Sequence, residues 1–224
     1  VETTLQSLKN LYRAPETPGS YFLSLEGIEG SGKSTQILAT EKKLKEKGYR
    51  TLVLREPGGT EFGERLRDAI LNSKVSLDPL AECHLFLASR AQLLKEKVLP
   101  FLLHPKSVVI LDRYIDSTLA YQGKARGLGL STVLTLHQYH PLNLVPHRTY
   151  FLDIDLETSL ERQRKRGNQK DYFESEQTEF YQKLIDGYRE VGALFNDRIL
   201  IIDAQADELK VSQKIVDDLD RFIS

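Results

Sequence analysis

Five short apolar runs recur along the chain, separated by longer amphipathic stretches. The first is Tyr21-Phe22-Leu23-Ser24-Leu25, followed at once by a glycine-rich turn. The others are Thr51-Leu52-Val53-Leu54, Ser107-Val108-Val109-Ile110-Leu111, Thr149-Tyr150-Phe151-Leu152 and Ile199-Leu200-Ile201-Ile202. Runs this short predict strands, and the unbroken apolar character of the third predicts a strand covered on both faces. The stretches between them predict helices. Residues 34–47 carry Ile37, Leu38 and Leu44 and stop at Gly48. Phe62, Leu66 and Ile70 recur four apart within 61–72. Asp78-Pro79 reads as a cap and first helical residue, opening a helix from Leu80 to about Leu103, with Pro100 as its candidate break. Ser131 is a candidate cap for a helix through Tyr139. Helices over 156–166 and 174–194 flank the polar stretch 167–173, and 207–222 closes the chain.

Strands alternating with helices predict an α/β fold: a five-stranded parallel sheet covered by helices on both faces. Such sheets bind ligands beyond the carboxyl ends of their strands. Residues 20–224 make this one domain. Residues 1–19 are polar, lack the apolar core of a signal peptide and end in Pro15, Pro18 and Gly19. They read as an N-terminal extension, a trimmed leader or an expression remnant. Leu5, Leu8 and Leu11 leave open a short docking helix instead.

Composition narrows the classes. Of 224 residues, 31 are Lys or Arg and 32 are Asp or Glu, so the formal charge is -1. That balance argues against a nucleic-acid partner read through a global basic footprint. No apolar run approaches the roughly 20 residues that span a membrane. The single cysteine, Cys83, rules out an intrachain disulfide and fits a reducing, cytoplasmic setting. Its apolar neighbours make it a packing residue.

The chemistry begins after the first strand. Gly27-Ile28-Glu29-Gly30-Ser31-Gly32-Lys33-Ser34 satisfies G-x-x-x-x-G-K-[ST] between a predicted strand and a predicted helix. This is a P-loop. Its glycines let backbone N–H groups wrap a phosphate chain, Lys33 reaches the terminal phosphates, and the Ser34 hydroxyl can ligate Mg²⁺. The motif therefore predicts a nucleoside triphosphate site at Gly27 to Thr35, with Mg²⁺ as its expected metal.

Three more segments follow strands or lie beside them. Arg55-Glu56-Pro57-Gly58-Gly59-Thr60 follows the second strand, Arg90 sits in the long helix, and Asp112-Arg113-Tyr114 ends the third strand. In a parallel sheet all face one crevice. Arg55, Arg90 and Arg113 then place fixed positive charge near the P-loop, which suits a second phosphate-bearing molecule. A phosphomonoester has a second pKa of about 6, so its oxygen is already a nucleophile at neutral pH and needs no base. A hydroxyl acceptor would need one, and Glu56 is the candidate. Asp112 is placed to hold Mg²⁺ or its waters. Phe86 lies one helical turn before Arg90, so both can face one pocket.

Together these residues resemble the thymidylate kinase family, over about residues 21–223. The carriers are Phe22 through Thr35, Arg55-Glu56-Pro57-Gly58-Gly59-Thr60, Asp112-Arg113-Tyr114 and Ala120-Tyr121-Gln122-Gly123. The resemblance implies transfer of the terminal phosphoryl group of ATP to dTMP. It implies that Phe86 stacks on thymine, Arg90 contacts the base edge, and Thr118 and Gln122 lie near the base. It implies further that Tyr121 crowds the sugar C2′ position, Arg113 and Arg55 hold the acceptor phosphate, and Glu29 sits between the two substrates. The peptide before Pro57 is a candidate for the cis form. Members are commonly homodimers, and the stretch from Leu85 to Leu103 is a candidate surface.

Some members carry a catalytic arginine in the P-loop; others supply arginines from a mobile lid. Here the loop reads Glu29-Gly30, and the lid, about 162–174, carries Arg162, Arg164 and Arg166. The chain resembles the bacterial, lid-arginine type, with Arg162 and Arg166 on one helix face. Asp171-Tyr172-Phe173-Glu174 departs from the family's Asp-Arg-aromatic-Glu pattern at Tyr172. Two rival functions stay open at this level. One is a deoxynucleoside kinase using Glu56 as base; the other is a P-loop ATPase with no small-molecule acceptor.

Overall fold

A computed structural model describes residues 2–166 and 178–223. Its strands are β1 (Tyr21–Glu26), β2 (Arg50–Arg55), β3 (Ser107–Asp112), β4 (Arg148–Asp153) and β5 (Ile199–Asp203). All pair in parallel, in the order β2-β3-β1-β4-β5. The three inner strands are nearly continuous in burial, whereas the edge strands leave Val53 and Ile201 partly exposed. Register brings the carboxyl ends level: Asp112 lies opposite both Leu25 and Arg55. The chain leaves β1 toward β2 on one side and later reaches β4 on the other, so the crevice of such sheets opens above β1.

The helices are α1 (Glu2–Lys9), α2 (Lys33–Glu46), α3 (Glu61–Leu71), α4 (Pro79–Leu93), α5 (Leu99–Leu102), α6 (Ile115–Thr118), α7 (Leu130–Leu136), α8 (Leu156–Arg166), α9 (Thr178–Leu194) and α10 (Glu208–Phe222). Two π-helical segments, Leu94–Val98 and Leu119–Ala125, join α4 to α5 and extend α6. α2 and α10 pack together, and α9 packs along the second π-helical segment. The core is a single cluster that includes Phe22, Leu25, Val109, Tyr150 and Leu184.

Several expectations change in detail. The long helix is not broken at Pro100. A wider π turn precedes it and Pro100 falls in the first turn of α5, where a missing N–H is tolerated. α7 is capped by Gly129 at φ 85°, not by Ser131, and ends at Leu136. Phe62 does not join Ile70 in the core; it is exposed, and Gly63 takes the buried position against Ser89. Helix α6 and its π extension have no counterpart in the sequence pattern.

The N-terminal segment is tied to the domain. Leu5 and Leu8 pack on the core, while Leu11 stays exposed. Tyr12 donates its hydroxyl to the Leu134 carbonyl, Lys9 pairs with Asp197 at 2.7 Å, and Arg13 bridges to Leu144. Cys83 is fully buried, and burial pushes its thiol up to about 11. It is therefore an un-ionised packing group, as its neighbours suggested.

Candidate active site

The P-loop leaves β1 and enters α2 through three glycines with positive φ. Gly27 lies at φ 144°, where an added Cβ would stand 2.7 Å from the Leu152 carbonyl. At Gly30 a Cβ would stand 3.1 Å from the Ser159 carbonyl, so only glycine lets α8 approach this closely. Gly32 is the N-cap of α2 and offers no side-chain acceptor, and the first turn holds no acidic residue. The first N–H groups of α2 are thus left to an anionic ligand. Lys33 is buried and donates to the carbonyls of Gly27 (2.9 Å) and Ile28 (3.2 Å). Burial, and then the nearby Arg113 charge, lower its pKa from the usual lysine value. Ile28 itself turns into the core. Outer braces hold the loop: Ser159 Oγ donates to the Glu29 carbonyl at 2.7 Å, and Arg162 spans the carbonyls of Gly30 and Ala204 at 3.1 Å each.

Lys33, Ser34, Asp112 and Arg55 line one cavity beside the loop. Asp112 Oδ1 is buried there with no hydrogen-bond partner among the described residues. An unpartnered carboxylate oxygen in a cavity that Ser34 also lines fits Mg²⁺, which takes most of its ligands from phosphates and water. Among the described residues no group of three or more His, Cys, Asp or Glu is placed to hold a metal ion.

A second cavity adjoins the first and shares Glu29, Glu56, Arg67 and Arg113 with it. Phe86, Arg90, Thr118, Tyr121 and Gln122 line this second cavity, so the structure brings together two separate segments of the sequence, 86–90 and 118–122. Arg113 stands at the junction. It adopts φ 70°, unusual for a residue with a Cβ, and its backbone N–H donates to Leu25. The turn aims its guanidinium at Glu29 (3.1 Å), Tyr188 Oη (2.8 Å) and Ser117 Oγ (3.3 Å), above the ring of Tyr121.

Arg90 is nearly fully buried and heavily committed. Glu56 Oε2 accepts from its Nε (2.8 Å) and Nη2 (2.5 Å), and Thr118 Oγ1 accepts from Nη2 at 3.0 Å. Its Nη1 lies 2.6 Å from His137 Nε2. A guanidinium has five N–H donors. These contacts use four and leave one on Nη1, in a side chain that lines the cavity. Glu56 is therefore bound to Arg90, which argues against its use as a general base. The Glu56-Pro57 peptide is cis.

The other expected residues fall elsewhere. Arg55 lines the phosphate cavity, half-exposed and paired with Glu64 at 3.0 Å. Thr35 and Arg162 line a third cavity on the far side of the loop, with Ala204 and Ala206 after β5. Arg166 ends α8. The Arg166 side chain, Gly167 and the segment Asp171-Tyr172-Phe173-Glu174 lie outside the described residues.

Sequence reasoning missed the groups beneath these side chains. Glu26, at the end of β1, is fully buried and accepts from the Tyr114 N–H (2.7 Å) and Ser117 Oγ (2.6 Å); burial pushes its carboxyl up to about 8. Tyr188, from α9, reaches both Ser117 and Arg113. His137 was also missed. Its Nδ1–H donates to the Val133 carbonyl at 2.8 Å, so Nε2 is the acceptor for Arg90. Burial, then the Arg90 charge, lower His137 to about 3.

That depression has a sign. Below pH of about 6.5 the unfolded chain takes up a proton at His137 that the folded chain refuses until about 3. Stability from this group is therefore complete above 6.5 and is lost as pH falls toward 3, by up to about 4 kcal/mol. We predict that His137→Gln, which keeps an acceptor for Arg90, loses less stability than wild type between pH 7 and pH 4.5. Parallel melting profiles for the two proteins would overturn this.

The geometry is that of a phosphate cradle opening onto an arginine-lined acceptor cavity, and comparison with known proteins agrees. The family model described as thymidylate kinase matches residues 25–215. The chain belongs to the thymidylate kinase family. A thymidylate kinase of Thermoanaerobacter pseudethanolicus is 40% identical over 202 residues, covering 90% of this chain and 98% of the relative. That of Kosmotoga olearia is 38% identical, covering 87% and 93%, and that of Bacillus licheniformis 42% identical, covering 82% and 87%. Membership in the thymidylate kinase family makes the chain a nucleotide-binding phosphotransferase of P-loop α/β fold. Among the described residues no helix is long and apolar enough to cross a membrane.

Proposed function

We propose that this enzyme transfers the terminal phosphoryl group of ATP to dTMP, giving dTDP and ADP for dTTP synthesis. The observation that carries the reading is the junction of the two cavities, where Arg113 and Glu29 face both the P-loop and the aromatic acceptor pocket. ATP phosphates lie along the P-loop N–H groups, and Lys33 leaves its loop carbonyls for the transferring group. Arg113 and Arg55 hold the acceptor phosphate in line. Phe86 stacks on the base, Arg90 reads its edge with its remaining Nη1 N–H, Thr118 and Gln122 border it, and Tyr121 closes the sugar side. Catalysis then rests on alignment and charge neutralisation, with no base required. Ser34 and Asp112 hold Mg²⁺, which supplies charge neutralisation on the phosphates. Arg162 holds the P-loop against the β5 turn from the nucleotide side, and Arg166 is the lid partner. The protein works in the cytoplasm as a homodimer, with no nucleic-acid or membrane partner.

The direct test is Mg-ATP-dependent ADP formation with dTMP, dUMP, UMP, dCMP, AMP and thymidine. Strong stimulation by dTMP, with at most weaker use of dUMP, is expected. Use of thymidine but not dTMP would make it a nucleoside kinase, and no stimulation would leave an ATPase. Light scattering of the same preparation checks the dimer.

A further inference from the structure

Gln122 is a side chain whose two ends meet different surroundings. Its Nε2 donates to Glu82 Oε1 at 2.7 Å. Its Oε1 is buried and has no hydrogen-bond partner among the described residues, although Gln122 lines the acceptor cavity. Glu82 lies on α4 one turn before Phe86 and is fully buried. Arg126 pairs with it, placing Nη2 3.4 Å from Oε2 and Nε 3.4 Å from Oε1, while its guanidinium stacks 4.8 Å over Phe180.

An ionised carboxylate only accepts hydrogen bonds, whereas an amide has one donating and one accepting end. Glu82 therefore allows a single orientation of Gln122: amide nitrogen toward the carboxylate, carbonyl oxygen the other way. A buried carbonyl oxygen without a partner is costly unless a ligand supplies the donor.

We propose that Glu82 is a positioning residue that locks the Gln122 amide with its carbonyl facing the base, so that the pocket selects a nucleobase with a ring N–H. This rests on the dTMP kinase reading above and adds the source of its base selectivity. The wall then offers two complementary groups, the remaining Arg90 N–H as donor and Gln122 Oε1 as acceptor. Thymine and uracil present the matching pair, a C4 carbonyl beside the N3–H. Cytosine presents the inverse, an N4 amino group beside a bare N3, so both contacts would be mismatched at once. A site built to hydrogen-bond its ligand rejects an inverted partner strongly, because its buried groups are left unpaired.

The test compares dTMP with 5-methyl-dCMP, which has the same shape and methyl group but the inverted hydrogen-bonding edge. Wild type is expected to favour dTMP in kcat/KM by at least about 100-fold. In Glu82→Gln the new amide can donate or accept, so Gln122 can turn over, and the preference should narrow by about 10-fold or more. A merely structural loss would lower both substrates together and leave their ratio within about 3-fold of wild type, which would overturn the proposal. Should Glu82→Gln fail to fold, wild type still decides: comparable use of 5-methyl-dCMP and dTMP overturns the proposal while leaving the kinase reading intact. No turnover of any monophosphate by wild type would instead defeat the kinase reading, and this inference with it.

Discussion

Replacing Lys33 by alanine is expected to remove phosphoryl transfer almost entirely, by about 10²–10³-fold or more in kcat. Its ammonium sits against the loop backbone that will hold the donor phosphates, and among the described residues it donates to the carbonyls of Gly27 and Ile28. Those bonds are to groups of its own loop, so the ammonium is free to leave them for a phosphate without breaking tertiary contacts. Burial lowers the pKa of Lys33 and so weakens its hold on the proton, whereas a polyphosphate beside it would favour the charged form. The sheet does not depend on the ammonium, and the variant should show an unchanged circular dichroism spectrum. The measurement is single-turnover formation of dTDP from dTMP under saturating Mg-ATP. Near-normal turnover would contradict the phosphate role assigned to the loop.

The second large effect is expected at Arg113. Alanine there should lower kcat/KM for dTMP by about 10²–10³-fold, the scale for removing one partner of a buried charged contact. KM for ATP should stay within about 3-fold of wild type, because Arg113 sits on the acceptor side of the junction. Lysine should rescue little. The guanidinium divides its donors between Glu29, Tyr188 and Ser117 with its carbon 5.3 Å over the Tyr121 ring, and an ammonium cannot reproduce that fork. Steady-state kinetics with each substrate varied in turn make the check. Equal losses toward ATP and dTMP would remove Arg113 from its acceptor role and make it a general structural residue.

The segments that could be read directly were those whose meaning is local. The P-loop is a contiguous string whose glycines, lysine and serine act within one turn, and Arg55 and Asp112 are the last residues of their strands. The strands themselves were legible because the inner ones are covered on both faces and so carry no polar alternation. The same physics hid α6 and its π extension. Residues 114–123 are all buried, polar Asp116, Ser117, Thr118 and Gln122 included, so no solvent-facing side sets an amphipathic period to detect.

The partners of Arg90 were beyond reach for another reason. Glu56, Thr118 and His137 lie 34, 28 and 47 residues away from it, after β2, at the end of α6 and just past α7. Nothing in the spacing of a single sequence announces that a buried guanidinium will collect them. Arg162 shows the same limit from the other side. Its helical position beside Arg166 marks it as a lid arginine, but does not announce that its guanidinium also spans the carbonyls of Gly30 and Ala204.

By itself, the sequence determined the parallel α/β architecture, the nucleotide cradle and the family, because alternation, strand ends and the P-loop are properties of neighbouring residues. Only the tertiary structure decided how the acceptor pocket is wired: Glu56 holding Arg90, a neutral His137 behind it, and Glu82 orienting Gln122. Buried polar groups must find partners wherever the packed chain supplies them, and that supply exists only after the sheet and its helices have come together.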